Sequence, residues 1–88
     1  MTFLFTTEAK KHYEHWRRTD PKAYARINAL LSAIRENPFG GVGKPEPLRG
    51  QLRGFWSRRI TREHRLVYRD PGGTGEQLCE VIQCKFHY

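Results

Sequence analysis

With 88 residues, 38% of them hydrophobic, the chain has material for one domain, residues 1–88, around one modest core. No apolar run approaches the ~20 residues that cross a bilayer. The apolar start Met1-Thr2-Phe3-Leu4-Phe5 lacks the basic lead-in and cleavage site of a signal peptide, so a cytoplasmic protein is expected. Sixteen Lys and Arg against nine Asp and Glu leave a net charge of +7, which points to a polyanion or an acidic protein partner.

The first predicted element is a strand over residues 2–6, rich in Phe, Leu and Thr. Thr6 or Thr7 can cap the helix that follows, with Glu8 favourable in its first turn. Ala9, Tyr13 and Trp16 recur at helical spacing, and Arg17-Arg18 suit the negative end of the dipole. A second helix begins at Asp20-Pro21, carries the apolar stripe Ala23, Ile27, Leu30, Leu31 and Ile34, and stops at Asn37-Pro38. The two form an αα-hairpin.

Residues 39–47 are rich in Gly and Pro and read as a mobile connector that stiffens at Pro45-Glu46-Pro47. Its glycines match neither common phosphate-loop spacing. The period then becomes that of strands. Gly54 separates Leu52 from a strand over residues 55–60, residues 61–63 form a turn, and residues 64–68 form the next strand. Residues 70–75 read as a hairpin loop and residues 77–84 as the last strand. The order is β-α-α-β-β-β: an α+β domain with a strand, an αα-hairpin and an antiparallel meander, helices on one sheet face and the other face free for a partner.

Cys79 and Cys84 are five residues apart in one predicted strand, an odd offset that sends them to opposite faces and argues against a disulfide. The histidines at 12, 15, 64 and 87 are scattered and supply no metal-ligand pattern; His12 and His15, three apart on a helix, have a permissible spacing and no more. Between residues 49 and 69, seven arginines (49, 53, 58, 59, 62, 65 and 69) face a single acid, Glu63. Arginine rather than lysine at every one favours bidentate contact with phosphate.

Alternation along the strands puts Arg59 with Phe55 and Ser57 on one face, and Trp56, Arg58 and Ile60 on the other. Arg65 goes with Val67, and Leu66 with Tyr68 toward the helices. Arg59 and Arg65 on the open face would make a phosphate clamp, or else two solvated arginines; alternation alone does not choose. Glu46, stiffened between prolines, is either a base or a countercharge to the arginines. His87 can exchange protons near neutral pH, and Tyr88 can stack on a base or plug an apolar gap.

These residues also carry a resemblance. The blocks Asn37-Pro38-Phe39, Gly43-Lys44-Pro45-Glu46-Pro47-Leu48, Gly54-Phe55-Trp56-Ser57-Arg58-Arg59-Ile60-Thr61 and Glu63-His64-Arg65-Leu66-Val67-Tyr68, with Cys84 and His87-Tyr88 at the end, resemble the YoeB/Txe toxins of the RelE/ParE superfamily. The likeness covers nearly the whole chain. The helices match only in pattern, and the loop at 70–75 looks longer and richer in glycine than is usual. The resemblance implies a RelE/ParE-like microbial RNase scaffold and a ribosome-dependent endoribonuclease that cuts mRNA in the A site of the bacterial 70S ribosome. By motif position it implies Glu46 as general base, Arg65 as the phosphate-stabilising cation, His87 as general acid and Tyr88 as an orienting residue. Arg59 falls on a backbone-contacting position and Arg49 on a commonly basic one. It implies no metal and no cofactor, a homodimer, neutralisation by a YefM/Phd-type antitoxin, operator DNA contacted only through that complex, and no membrane.

The chemistry of the residues agrees with this. An RNA 2′-OH can attack its own phosphodiester if a base takes its proton, cations stabilise the phosphorane oxygens and an acid protonates the 5′-oxygen. Two rivals stand beside it. A gyrase poison on the ParE branch acts by protein contact and has no need of Glu46, Arg65 and His87 as a set. A plain nucleic-acid-binding module fits the charge but shows no recognition-helix motif.

Overall fold

The computed structural model describes residues 1–71 and 78–86. Strand β1, Thr2–Phe5, alternates outward Thr2 and Leu4 with inward Phe3 and Phe5, which pack on the core. Helix α1, Thr7–Thr19, is capped by Thr6, whose Oγ1 accepts the Ala9 N–H at 3.2 Å. Asp20 then serves both helices. Its N–H donates to the Trp16 carbonyl at 2.9 Å, closing α1, and its Oδ1 accepts the Ala23 N–H at 3.1 Å, opening α2, Pro21–Glu36. The predicted stripe of α2, residues 23, 27, 30, 31 and 34, is its buried face. The Tyr13 hydroxyl donates to Asn28 Oδ1 at 2.7 Å and ties the hairpin together.

The sheet adds β2 (Glu46–Pro47), β3 (Phe55–Arg59), β4 (Arg65–Arg69) and β5 (Leu78–Gln83), in the order β1-β5-β4-β3-β2. Strands β2 to β5 pair antiparallel, and β1 lies parallel to β5, so this α+β sheet is mixed. Strand β2 falls in the segment expected to be loop. Glu46 pairs with Ser57 and Pro47 with Trp56. A proline, with no N–H to donate, fits such an edge strand, and it biases the residue before it toward extended geometry.

Leu66, Tyr68, Cys79 and Val81 face the helices and build one core with Ala9, Trp16 and the α2 stripe. The expectation for the cysteines is corrected here. Tyr68 pairs with Val81 while its neighbour Val67 pairs with Gln83, so Ile82 is an extra residue, a β-bulge. The bulge reverses the parity of the strand, and Cys84 joins Cys79 in the same core. Both are free and buried, and burial raises their thiols to about 12 and about 11 respectively.

The connector is likewise not the mobile loop expected. Arg58 is fully buried and donates from Nη2 to the carbonyls of Asn37 (2.6 Å) and Gly40 (2.8 Å), and from Nη1 to that of Val42 (2.9 Å). Its Nε donates to the Tyr68 hydroxyl at 3.1 Å, and that hydroxyl donates to the Pro38 carbonyl at 2.6 Å. The Arg59 N–H closes the set on the Gly43 carbonyl at 2.7 Å. One buried guanidinium thus holds the carbonyls of the connector against the sheet. Among the described residues no buried side-chain nitrogen or oxygen lacks a partner. Of the predicted hairpin loop and last strand, residues 72–77 lie outside the described residues.

Candidate active site

The strand register brings three of the predicted site residues, Glu46, Arg59 and Arg65, to the face opposite the helices. Glu46, Ser57 and Val67 form one row across β2, β3 and β4, and Arg59 and Arg65, paired directly, lie in the row two residues along. Directly opposed residues share a face, so Glu46 is a diagonal neighbour of Arg59, with Cβ atoms about 7–8 Å apart. Arg65 stands one strand further, about 5 Å beyond Arg59. One acidic and two arginine positions are therefore neighbours on one sheet face.

The positions differ in rigidity. Glu46 is exposed on the edge strand, its backbone held by pairing and by the flanking prolines. Arg59 is exposed at the end of β3, and its carbonyl accepts from Arg26 Nη2 of α2 at 3.3 Å. Arg65 is 9% exposed, and its Nη1 donates to the carbonyls of Thr61 (2.9 Å), Arg62 (3.1 Å) and His64 (3.1 Å). These bonds fix the guanidinium on the β3–β4 turn; a preset cation stabilises developing charge without having to reorganise. Arg49 is exposed as the residue that precedes the short 3₁₀ turn Gly50–Leu52. His87 and Tyr88 lie outside the described residues, while Phe86, which precedes them, accepts the Arg65 N–H at 3.0 Å.

Two expectations change. Arg58, counted among the arginines facing a polyanion, is a core residue bound to the connector. The face expected to be free is only partly so, because Ser57 (2% exposed) and Val67 (0%) are buried within it while Glu46 and Arg59 are exposed. The sequence reading also missed a cluster. His12, His15 and His64, scattered in the chain, meet around Trp16 and Phe86: Trp16 touches the rings of His15 and His64 at 5.0 and 4.8 Å between centroids, and His12 and His64 approach Phe86 at 6.2 and 6.0 Å. The i, i+3 spacing of His12 and His15 was the one signal of it. Among the described residues no group of His, Cys, Asp and Glu is arranged to hold a metal. A surface groove of about 350 Å³ between β1 and α1, lined by Phe3, Leu4, Phe5, Lys10, Tyr13 and Glu14, lies at the sheet edge away from Glu46.

Comparison with known proteins agrees with this architecture. Residues 5–88 match the family model of the YoeB-like toxin of bacterial type II toxin-antitoxin systems. Toxin YoeB of Streptomyces coelicolor is 48% identical over 88 residues, all of both chains. The solved structure of a YoeB/ParE toxin from Agrobacterium tumefaciens superposes with a TM-score of 0.94 at 51% identity, again over all of both chains. YoeB from Staphylococcus aureus, solved as a dimer, superposes at 0.88 with 37% identity, covering 100% of this chain and 98% of that one; the same toxin has been solved in a heterotetrameric YoeB-YefM complex. A full-length sequence match and a shared fold, at identities well above the level where fold alone is common, place this chain in the family of YoeB-like toxins of bacterial type II toxin-antitoxin systems.

Proposed function

We propose that residues 1–88 act as one domain, a ribosome-dependent endoribonuclease that cuts mRNA in the A site and so halts translation in the cytoplasm. The observation that carries the reading is the strand register, with Glu46 beside the Arg59–Arg65 pair on one sheet face of a YoeB-like toxin. Glu46 takes the proton from the 2′-OH. The 2′-oxygen attacks the adjacent phosphorus, and Arg65 and Arg59 stabilise the charge on the phosphorane oxygens. The P–O5′ bond breaks as His87 delivers a proton to the leaving oxygen, with Tyr88 orienting the substrate and Arg49 contacting the backbone. The products are a 2′,3′-cyclic phosphate and a 5′-hydroxyl. Every role is taken by a side chain, so the route needs no metal or cofactor, and DNA, which has no 2′-OH, is not a substrate.

By analogy with the S. aureus toxin, solved as a dimer and in complex with YefM, this chain forms a homodimer and binds a YefM/Phd-type antitoxin. On the same reading that antitoxin is its neutraliser and its one route to operator DNA.

The test is primer extension on a defined mRNA in programmed 70S ribosomes, with wild type, Glu46→Ala and His87→Ala. A cut in the A site that falls about 10²–10⁴-fold with either substitution is expected. Absence of cutting by folded, untagged wild type would overturn the reading and make gyrase inhibition the next activity to assay.

A further inference from the structure

The chain end is tied down in an unusual way. Strand β5 stops at Gln83, so its ladder no longer orders the residues that follow. Residues 84–86 are held by side chains from other elements. The Trp16 indole donates to the Cys84 carbonyl at 2.7 Å. The Cys84 N–H donates to His12 Nδ1 at 3.2 Å, and the Phe86 N–H donates to His64 Nδ1 at 2.7 Å. Phe86 itself has φ +68°, a left-handed conformation costly for a bulky residue, and its ring is 57% exposed. Such backbone strain persists only where the surroundings over-determine it. Burial of the ring does not supply that here. The bonds of Phe86 to His64 through its N–H, and to Arg65 through its carbonyl, do.

We propose that His64, supported by His12, is a positioning residue that seats the terminal turn, from which His87 and Tyr88 continue, by accepting backbone N–H bonds through the neutral imidazole. A backbone N–H can only donate, so Nδ1 of each ring must present its lone pair and the ring proton must sit on Nε2. Protonation turns Nδ1 into a donor and sets two N–H groups against each other. The seat is therefore intact when both rings are neutral and lost when they charge. The surroundings of His12 favour its neutral form. Around His12 stand Glu8 and His15 of α1 and Lys85 of the turn; His15, which neighbours His64, also meets Arg18; and Arg62, Glu63 and Arg65 flank His64 in the chain. Of these only Glu8, 3.6 Å from His12 Nε2, and Glu63 are acidic. Burial, more than any charge, lowers the pKa of His12. The catalytic consequence rests on the proposed nuclease activity; the seating itself does not.

The experiment follows the Phe86 and Cys84 amide resonances by ¹⁵N NMR between pH 8 and 5 in wild type, His64→Asn and His64→Ala, and measures cleavage in programmed ribosomes for the same proteins. Asparagine offers Oδ1 near the position of Nδ1 and does not titrate. In wild type the Phe86 amide is expected to move upfield between pH 8 and pH 5. His64→Asn should keep it at the hydrogen-bonded position at every pH, and His64→Ala should hold it at the acid wild-type position. Cleavage should fall about 10²-fold in His64→Ala, in kcat more than KM, and recover in His64→Asn. A wild-type amide that does not move over this pH range, or one that is unchanged in His64→Ala at pH 8, overturns the seating. Wild-type cleavage rates in His64→Ala overturn the positioning role. If wild type cuts nothing, the nuclease reading and its positioning consequence fall, while the amides still decide the seating.

Discussion

Adjacent arginines here have opposite fates. Arg58 and Arg59 differ by one step along β3, which sends one side chain into the core and the other to solvent. Arg58→Met leaves the carbonyls of Asn37, Gly40 and Val42 without their donor, and each buried polar group stripped of its partner costs about 1–3 kcal/mol. A loss of about 2–4 kcal/mol, the range for breaking a hydrogen-bond network in the core, is expected in urea unfolding. Arg59→Ala should shift stability by no more than about 0.5 kcal/mol while weakening cleavage. Equal stabilities for the two variants would contradict the core role of Arg58. His12 makes a second prediction at this scale. Its folded pKa lies below the ordinary value of 6.5, chiefly through burial. The unfolded chain therefore binds the proton more readily, and the stability that His12 contributes is present above pH 6.5 and lost as pH falls through the folded value. His12→Asn should flatten the drop in Tm between pH 8 and 5; an unchanged slope would remove His12 as its source.

At the scale of elements, the connector between α2 and β2 decides where Glu46 stands. Gly43 is its tightest point, with φ +89°, and a Cβ there would sit 2.7 Å from Leu30 Cδ2 and 3.1 Å from Arg58 Cβ. Gly43→Ala combines a strained left-handed backbone with a clash against α2 and the buried arginine, and is expected to cost about 1–3 kcal/mol. Because the Gly43 carbonyl also accepts the Arg59 N–H, the variant should lower cleavage as well as Tm. A Tm within a degree of wild type would show that the connector gives way freely. The helices are less sensitive to any one residue, because caps at Thr6 and Asp20 and a five-residue buried stripe on α2 all favour the same geometry.

For the whole molecule, the net charge of +7 attracts polyanions. Each backbone phosphate neutralised on a single strand adds about −0.7 to the slope of log K against log salt. Arg59→Ala should therefore weaken RNA or ribosome binding across sequences and reduce the salt slope by about 0.7. A slope identical to wild type would take Arg59 out of the interface. No described helix is long and apolar enough to cross a membrane, which agrees with the composition.

Local features of the chain determined the helix caps, the buried stripe of α2, the alternation that sorts Arg59 and Arg65 from Leu66 and Tyr68, and the motif blocks that mark the family. All are nearest-neighbour effects: a cap needs a residue three positions away, and a strand face needs only parity. What required the tertiary structure were features that depend on distant partners. The bulge at Ile82 carries Cys84 into the core because β4 pairs out of step there, which parity along one strand does not reveal. Arg58 is buried because the connector folds back to present its carbonyls, whereas by composition it counts as one more surface charge. The histidines converge because α1, the β3–β4 turn and the chain end meet at Trp16, and only that meeting makes Nδ1 of His64 an acceptor for Phe86. The site follows both rules: parity separated Arg59 from Arg58 and Arg65 from Leu66 within their own strands, while the cross-strand register put the two arginines on one face and the pairing of an edge strand too short to recognise by period brought Glu46 beside them.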